Sequence, residues 1–308
     1  MTRNGAGTAL TRRLVVNADD LALTVGVNDG IFEAHDRGIV TSASMFANAP
    51  ATADALARSR SRPLLGVGVH LTLVDGTPTL PPARVPTLVH GDRFLASWRP
   101  FIVACLQGRI ALTEVERELA AQVDRIRSEG VRVTHLDAHK HIHMFPPVFA
   151  IVVRLAARFR IPAIRVPYEG WSPVWGDRRQ RHVARRQSFV NLAMRPWAHR
   201  NYRMAAAHGL SAPQFTGRTH TGVMSIEAIV ATIRRLRHGV TELMVHPGHI
   251  DDALRHTPTR LVSSRAEEVG LLCSAALRTV LVTQGVQLVR HDGVASTDLS
   301  PRSLRDAS

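Results

Sequence analysis

Short apolar runs alternate with amphipathic stretches along most of this 308-residue chain, and this alternation limits the possible folds more than any other feature. The predicted strands span residues 14–18, 40–47, 65–73, 131–138, 163–167, 241–246 and 286–290. Strands that are rich in Val and Leu and are separated by helices are typical of a parallel sheet covered on both faces. About seven such units predict an α/β protein with a distorted (β/α) barrel of the TIM type.

Two segments, 75–111 and about 170–222, do not follow the alternation, and we interpret them as long loop insertions, the second rich in Arg. Residues 13–292 are predicted to form a single domain. Residues 1–12 are expected to be a disordered leader and residues 293–308 a polar tail. A chain of 33.8 kDa buries about three quarters of its extended surface on folding, which excludes a mini-protein or an intrinsically disordered chain.

Two helices are marked by their end signals. Thr113 and Glu116 have the spacing of a capping box within a helical pattern over residues 112–130, which ends at Gly130. Ser264 is followed three residues later by Glu267, which is the spacing of a capping box, and helical spacing then continues to about Thr283. We therefore predict a single helix from Ser264 to about Thr283.

The cysteines and the N-terminal sequence favour a cytoplasmic protein. Cys105 and Cys273 lie in apolar runs, as expected for free thiols in a reducing compartment. The first residues lack the apolar core of a signal peptide, and no run of about 18 apolar residues occurs, so no transmembrane helix is expected. Peripheral contact with the inner face of the membrane is compatible with these features.

Basic residues are concentrated in one part of the chain. The formal net charge is +14, and residues 154–204 contain 12 Arg against two acidic residues, a local net charge of +10. Within residues 178–203 one helical face carries Val183, Val190, Met194 and Trp197. A basic helix with an apolar face suits an anionic membrane surface, although Pro196 should kink or end it. The alternative is an insertion helix that packs on the barrel. No nucleic-acid-binding motif is present, and no nucleic acid partner is expected.

Ionisable residues cluster where the predicted strands end. At or just after these ends stand Asp19, Asp20, His70, Asp137, His139, His141, His143, Arg165 and His246. In βα barrels the active site is built at the C-terminal ends of the strands. Five strands that each deliver such a group therefore predict an enzyme.

Asp and His side chains from three of these strands predict a site for one divalent metal ion. One carboxylate and two imidazoles bind Zn²⁺ and related ions and leave positions for water and substrate. Two or three of His139, His141 and His143 could reach one cavity, since alternate residues of an extended chain point to the same side. The residue types leave Zn²⁺, Mg²⁺, Mn²⁺ and Co²⁺ open.

Structural explanations compete with these functional ones. Asp19 and Asp20 could cap the following helix. His246 stands alone in the sequence and could be a structural residue. Arg165 could pair with a buried carboxylate, or it could orient a catalytic Asp through a bidentate hydrogen bond.

Four motifs together resemble the YdjC-like carbohydrate deacetylases. These motifs are NADD at 17–20, GVHL at 68–71, THLDAHKHIHMFP at 134–146 and MVHPG at 244–248. That family includes chitooligosaccharide deacetylases and the deacetylase associated with hopanoid biosynthesis. The stretch GVHLTLVDGTPTLPPARVPTLV is most similar to the hopanoid-associated branch.

The resemblance implies a distorted (β/α) barrel with one divalent ion, Mg²⁺ or Zn²⁺, and it implies roles for individual residues. The implied roles are metal ligation by Asp20, His70 and His139, base catalysis by Asp19, acid catalysis by His246, orientation of the catalytic Asp by Arg165, and substrate or supporting contacts by His141 and His143. The chain departs from the family where Leu21 and Ala22 replace the common Phe-Gly, and where Lys140 replaces a common His.

The implied activity is that of a hydrolase acting on linear amide C–N bonds, with an N-acetylhexosamine as substrate. The expected substrate is a glycolipid such as N-acetylglucosaminyl hopanoid, reached through peripheral membrane contact of residues 178–203. Soluble chitooligosaccharides remain an alternative, as does a phosphoesterase or amidohydrolase reaction with the same metal site. A homodimer is also compatible with the sequence.

Overall fold

The computed structural model describes residues 11–170 and 178–293, in which eight strands form one sheet with parallel pairing throughout. Two further strands form a separate antiparallel hairpin. The strands of these residues are β1 (Arg12–Leu21), β2 (Ser42–Met45), β3 (Gly66–Leu71), β4 (Val89–His90), β5 (Arg93–Phe94), β6 (Val133–Ala138), β7 (Ala163–Ile164), β8 (Gln214–Thr216), β9 (Gly239–Val245) and β10 (Val286–Leu288). The predicted leader and tail fall outside the described residues, except at 11–12 and 293.

The strands lie in the order β7-β6-β3-β2-β1-β9-β8, and β10 pairs with the first three residues of β1. The sheet curls until its two edges meet. There the Ile164 N–H donates to the Ser211 carbonyl at 2.9 Å, and the Ser211 N–H donates to the Pro162 carbonyl at 2.9 Å. This seam closes a distorted (β/α) barrel, so the predicted fold is confirmed.

Helices follow most strands and cover the outside of the sheet. The α-helices of the described residues are α1 (Val25–Asp36), α2 (Thr52–Arg60), α3 (Trp98–Leu106), α4 (Leu112–Ser128), α5 (Pro146–Phe159), α6 (Arg178–Ala193), α7 (Arg195–Ala207), α8 (Ile226–Arg235), α9 (Asp252–His256), α10 (Ser263–Leu272) and α11 (Ala275–Thr283). Two short 3₁₀ helices lie at Pro82–Arg84 and His139–Met144. No helix of the described residues has both the length and the apolar character needed to span a bilayer.

The prediction of a single capped helix after Ser264 is wrong. The first turn of α10 is preceded by Val262 and has no side-chain cap, so Ser264 lies inside the helix. The helix ends at Leu272, and Ser274 then caps α11 by accepting a hydrogen bond from the Ala276 N–H. A second cap inside the pattern divides it into two helices.

The helix predicted over residues 112–130 is present as α4, but its predicted capping box is wrong. The helix begins at Leu112 after Ala111, which makes no side-chain cap, so Thr113 lies inside the first turn.

The two irregular segments contain their own structure. Segment 75–111 carries β4, β5 and α3, and segment 170–222 carries α6, α7 and β8. Because β8 pairs with β9, the end of the second segment is part of the barrel sheet rather than of an insertion. Pro196 lies in the first turn of α7, where a missing N–H removes no helical hydrogen bond. Residues 171–177 lie outside the described residues.

The interior of the barrel is lined with charged and polar side chains instead of the layers of branched apolar residues that are common in such barrels. Arg165, Asp137, Glu242 and His135 are all fully buried there. Gly68 in β3 leaves the necessary room, because a Cβ at this position would lie 2.3 Å from Cε1 of His135. The fold thus places ionisable groups under the C-terminal end of the sheet.

Candidate active site

The adjacent carboxylates Asp19 and Asp20 both reach the C-terminal end of the barrel. Consecutive residues of an extended strand normally point to opposite faces of the sheet. Here φ is +69° at Asp20 and +83° at Ala22, so the chain leaves the extended path where β1 ends. Left-handed backbone is unfavourable at residues with a Cβ, and such strain is concentrated at functional sites. Here the left-handed backbone at Asp20 and Ala22 occurs where two consecutive carboxylates, Asp19 and Asp20, both face one site.

Asp20, His70 and His139 lie together in a group that could hold a metal ion. One ligand atom from each residue lies within 4.8 Å of the other two. Oδ1 of Asp20 is 3.5 Å from Nε2 of His70 and 3.5 Å from Nδ1 of His139. Ligand bonds of about 2 Å to a shared ion require similar separations between ligand atoms. The donor set therefore fits a divalent cation and leaves positions free for water and substrate.

His70 is held rigidly from behind. Its Nδ1 lies 2.8 Å from Oδ1 of the buried Asp137, which leaves Nε2 directed towards Asp20. Burial alone would lower the pKa of His70, but the carboxylates of Asp137, Asp19 and Asp20 outweigh it and raise the pKa to about 9. The field at this point favours positive charge, as expected where a cation binds.

His139 lies at the open side of the site. Its side chain is 24% exposed, whereas that of His70 is 2% exposed. The two residues that follow, Lys140 and His141, have φ values of +50° and +55°, so β6 ends in a tight turn directly after His139. The Phe46 ring packs edge-on against both metal-site imidazoles, with centroids 4.8 Å from His70 and 5.3 Å from His139.

Arg165 connects three carboxylates in the barrel interior. Its Nη1 and Nη2 donate to both oxygens of Asp19, at 2.7 and 2.6 Å. The same guanidinium lies 2.7 Å from Oδ2 of Asp137, and its Nε donates to Oε1 of Glu242 at 2.7 Å. Asn17 donates a further hydrogen bond to Oδ1 of Asp19 at 2.9 Å. The orientation of the Asp19 carboxylate is therefore fixed by several charged and polar partners.

His246 directly follows β9 beside this cluster and is buried. Burial lowers the pKa of His246 to about 4, and the charges of Asp19 and Asp20 only partly offset it. The backbone N–H of His246 donates to Oε2 of Glu268 at 2.6 Å. Burial therefore favours the neutral imidazole of His246 in this structure.

The structure separates His141 from His143. His141 is half-buried, its ring meets Phe215 edge-on at 5.9 Å, and its Nδ1 has no hydrogen-bond partner in the described residues. His143 is fully buried, and its Nε2 lies 2.9 Å from the carbonyl oxygen of Arg165. In this arrangement His143 is closed to a sugar and contacts the backbone of Arg165, which agrees with the supporting role that the sequence left open beside a substrate contact.

Four charged residues at the site were not singled out by the sequence pattern. Glu242 contacts Arg165, and Asp75 lies 3.6 Å from His139. Arg265 donates to Oδ2 of Asp20 at 2.5 Å, and Glu268 contacts His246. Arg265 and Glu268 are three residues apart on the buried face of α10, a spacing that could have signalled an inward-facing charged pair.

The chain is similar to a described family and to several known proteins. The family model described as YdjC-like protein matches residues 13–283. The carbohydrate deacetylase of Geobacillus stearothermophilus is 32% identical over 92% of this chain and 98% of its own length. The chitooligosaccharide deacetylase of Salmonella typhimurium is 32% identical over 90% of this chain and 96% of its own. A solved structure from Enterococcus faecalis, described as a cellobiose-phosphate cleavage protein, has a TM-score of 0.74 at 25% identity and covers 92% of this chain and 99% of its own.

Proposed function

The chain belongs to the YdjC-like protein family, and from this premise we propose that it is a metal-dependent carbohydrate N-deacetylase. The reaction hydrolyses the C–N bond of an N-acetylated sugar and releases acetate and a free amino sugar. The observation that carries the proposal is a donor set of Asp20, His70 and His139 directly beside an Asp19 carboxylate that Arg165 holds in place.

In this proposal Asp20, His70 and His139 bind one divalent ion, Zn²⁺ or Mg²⁺. When bound, such an ion polarises the acetamide carbonyl and lowers the pKa of a water molecule. Two imidazoles and a carboxylate are common zinc ligands, whereas Mg²⁺ prefers oxygen ligands and retains several waters. We therefore expect Zn²⁺ to bind more tightly than Mg²⁺.

Asp19 is the general base. Its Oδ1 accepts hydrogen bonds from both Arg165 and Asn17, whereas its Oδ2 accepts one from Arg165. A carboxylate oxygen can accept two hydrogen bonds, so Oδ2 keeps capacity for the proton of the attacking water. Arg165 acts as the residue that orients this carboxylate.

His246 delivers a proton to the amine that leaves. Because burial holds its pKa at about 4, the imidazole begins the cycle neutral. The proton that the amine needs comes from the attacking water and passes by way of Asp19 and His246. His141, whose side chain is half-buried beside the site, is the residue to which we assign a contact with the sugar.

Acetate release is the direct test of this function. We expect turnover of N,N′-diacetylchitobiose or of an N-acetylglucosaminyl lipid, loss of turnover with a chelator, and recovery when Zn²⁺ is added back. Asp19→Asn should lower kcat by about 10²–10⁴-fold, since it removes a general base, while Zn²⁺ still binds. Asp29→Asn, at a carboxylate paired with Arg58 away from the site, is the control. Phosphate release from phosphorylated sugars without acetate release would instead establish a phosphoesterase.

A glycolipid substrate is the finer part of the proposal, and the surface of α6 and α7 supports it. Residues 178–203 contain eight Arg and no acidic residue. Four apolar side chains on these helices are exposed, namely Phe189 at 75%, Leu192 at 64%, Val190 at 43% and Trp197 at 39%. Apolar side chains among arginines suit binding to an anionic bilayer.

The position of α7 connects this surface with the active site. Trp197 packs against Phe145 with ring centroids 6.3 Å apart, and Phe145 directly follows the 3₁₀ helix that begins at His139. Met194, predicted to share the apolar face, instead packs against the core. Ala198 and Ala205 are also buried, so α7 both docks on the barrel and exposes apolar side chains. A lipid-linked sugar, such as an N-acetylglucosaminyl hopanoid, would reach the site from a membrane on this side.

Vesicle binding distinguishes a glycolipid substrate from a soluble one. We expect the protein to sediment with vesicles that contain phosphatidylglycerol and not with pure phosphatidylcholine vesicles. The double variant Phe189→Ser, Leu192→Ser should lose this binding and the turnover of a vesicle-embedded substrate, yet retain turnover of diacetylchitobiose. Leu106→Ser, at an exposed apolar residue of α3, is the matched control. Unchanged vesicle binding of the double variant would contradict the role of this surface.

A further inference from the structure

The two imidazoles of the metal site differ in how firmly they are held. His70 is buried, and its Nδ1 lies 2.8 Å from Oδ1 of Asp137, which fixes the ring. His139 is partly exposed and precedes two residues in left-handed conformation, Lys140 and His141. Histidines that bind metals usually donate their second ring N–H to a carboxylate or carbonyl, which selects the tautomer and orients the ring. His139 needs such a partner more than His70 does.

Asp75 stands where that partner is required. Nδ1 of His139 faces Asp20, and its Nε2, on the opposite side of the ring, lies 3.6 Å from Oδ2 of Asp75. Asp75 is itself fixed by its backbone, because its N–H donates to the carbonyl of Leu95 at 3.0 Å. Its own φ of +60° turns the loop after β3 at this point. The carboxylate therefore reaches His139 from a separate loop.

Lys140 contacts the same carboxylate oxygen. The ammonium group of Lys140 forms an ion pair with Oδ2 of Asp75, so one oxygen faces both the imidazole and the ammonium. Lys140 is the single lysine among the 39 basic residues of the chain, and all the others are arginines. An ammonium is a compact charge that meets one oxygen, whereas a planar guanidinium tends to engage both carboxylate oxygens. A lysine at position 140 therefore leaves the Asp75 carboxylate able to contact the imidazole of His139 as well.

We propose that Asp75 and Lys140 are positioning residues for the metal ligand His139. The 3.6 Å between the two atoms is just beyond hydrogen-bond distance. With an ion bound, a small approach would let Asp75 accept the Nε2 proton of His139 and so fix the tautomer that presents Nδ1 to the ion. Lys140 holds Asp75 in that place and ties the turn after β6 to the loop after β3. The inference rests on the proposed metal site.

Metal affinity tests the inference independently of turnover. Zn²⁺ binding to the full chain is measured by competition with a chromophoric chelator. Asp75→Asn should weaken it about 10–100-fold, the usual effect of removing an outer partner of a metal ligand. Asp75→Glu should restore part of the affinity. Lys140→Arg should weaken binding although the charge is kept, because guanidinium would draw Asp75 away from His139.

Two controls separate the possible outcomes. Glu129→Gln breaks an exposed ion pair with Arg60 and should leave Zn²⁺ affinity unchanged. His70→Ala and His139→Ala should each abolish tight binding. If these two variants bind Zn²⁺ as the wild type does, the proposed metal site itself is wrong. If they lose binding while Asp75→Asn keeps wild-type affinity and only lowers the melting temperature of the metal-free protein, Asp75 is merely structural and the inference is overturned.

Discussion

The floor of the active site, formed by Arg165 with Asp19, Asp137 and Glu242, is buried, whereas the rim, formed by His139, Lys140 and Asp75, is open to solvent. In the floor, one guanidinium contacts three carboxylates. In the rim, Oδ2 of Asp75 faces both the imidazole of His139 and the ammonium group of Lys140. A substitution in the floor should therefore cost much stability, whereas a substitution in the rim should change metal binding at a small cost in stability.

The largest expected effect comes from breaking the floor. Arg165→Met leaves three buried carboxylates without their shared partner, and removing one member of a buried ion pair typically costs about 3–5 kcal/mol. We expect this loss in the free energy of unfolding from urea titration, together with loss of detectable acetate release. Arg154→Met, which breaks an exposed pair with Glu116, should change stability by less than about 1 kcal/mol. Equal stability of the two variants would contradict the contrast between floor and surface.

A second prediction concerns Glu268, the buried carboxyl group beneath His246. Burial raises the pKa of Glu268 from 4.5 to about 7, with Arg265 and the His246 N–H opposing the shift. Between these values the unfolded chain releases this proton and the folded chain retains it, so the group's contribution to stability is lost as pH rises through about 7.

Glu268→Gln removes this titration and preserves an acceptor for the His246 N–H. The free energy of unfolding of the variant relative to the wild type should therefore rise between about pH 4.5 and 7 and stay level above. The full change is on the order of 3 kcal/mol, from 1.36 kcal/mol per pKa unit. Urea unfolding at pH 5, 6, 7 and 8 measures it, and a difference that is independent of pH would exclude the shift.

The smallest effect is expected at the outermost surface. Phe189 is three-quarters exposed, so the change Phe189→Ser should alter the free energy of unfolding by no more than about 0.5 kcal/mol. Thermal unfolding of Phe189→Ser and of Arg165→Met measures the smallest and the largest expected loss of stability. A large loss of stability would show that α6 buries this side chain after all.

The sequence was sufficient to predict that acidic and imidazole side chains meet at the strand ends. Parallel strands of a barrel present their C-terminal ends together, so the pattern placed Asp20 and His70 near the run of histidines after β6, and the family resemblance then selected His139 from that run. Glu242 could not be found in this way, because its contact with Arg165 depends on which face of β9 is turned inward. Asp75 depends on the path of an irregular loop, which no periodicity describes.

The C-terminal helices show how a local pattern can mislead. Ser264 and Glu267 have the spacing of a capping box, which is a surface signal. In the structure the helix begins one residue earlier, and the neighbouring pair Arg265 and Glu268 is buried against the site. Contacts to Asp20 and His246 determine the rotation of the helix, and these partners lie about twenty residues or more away in sequence.

Arg165 also contributes to the closure of the barrel, because it lies beside the seam where the two edges of the sheet meet. β7 is two residues long, and the edges of the sheet meet through backbone hydrogen bonds at Ser211. Arg165 directly follows β7, and its side chain reaches carboxylates on β1, β6 and β9. These ion pairs cross the barrel interior and link β1, β6 and β9 to the end of β7, where few backbone hydrogen bonds close the sheet. A chain that lost this arginine would lose the fixed orientation of the Asp19 carboxylate and the ion pairs across the barrel together.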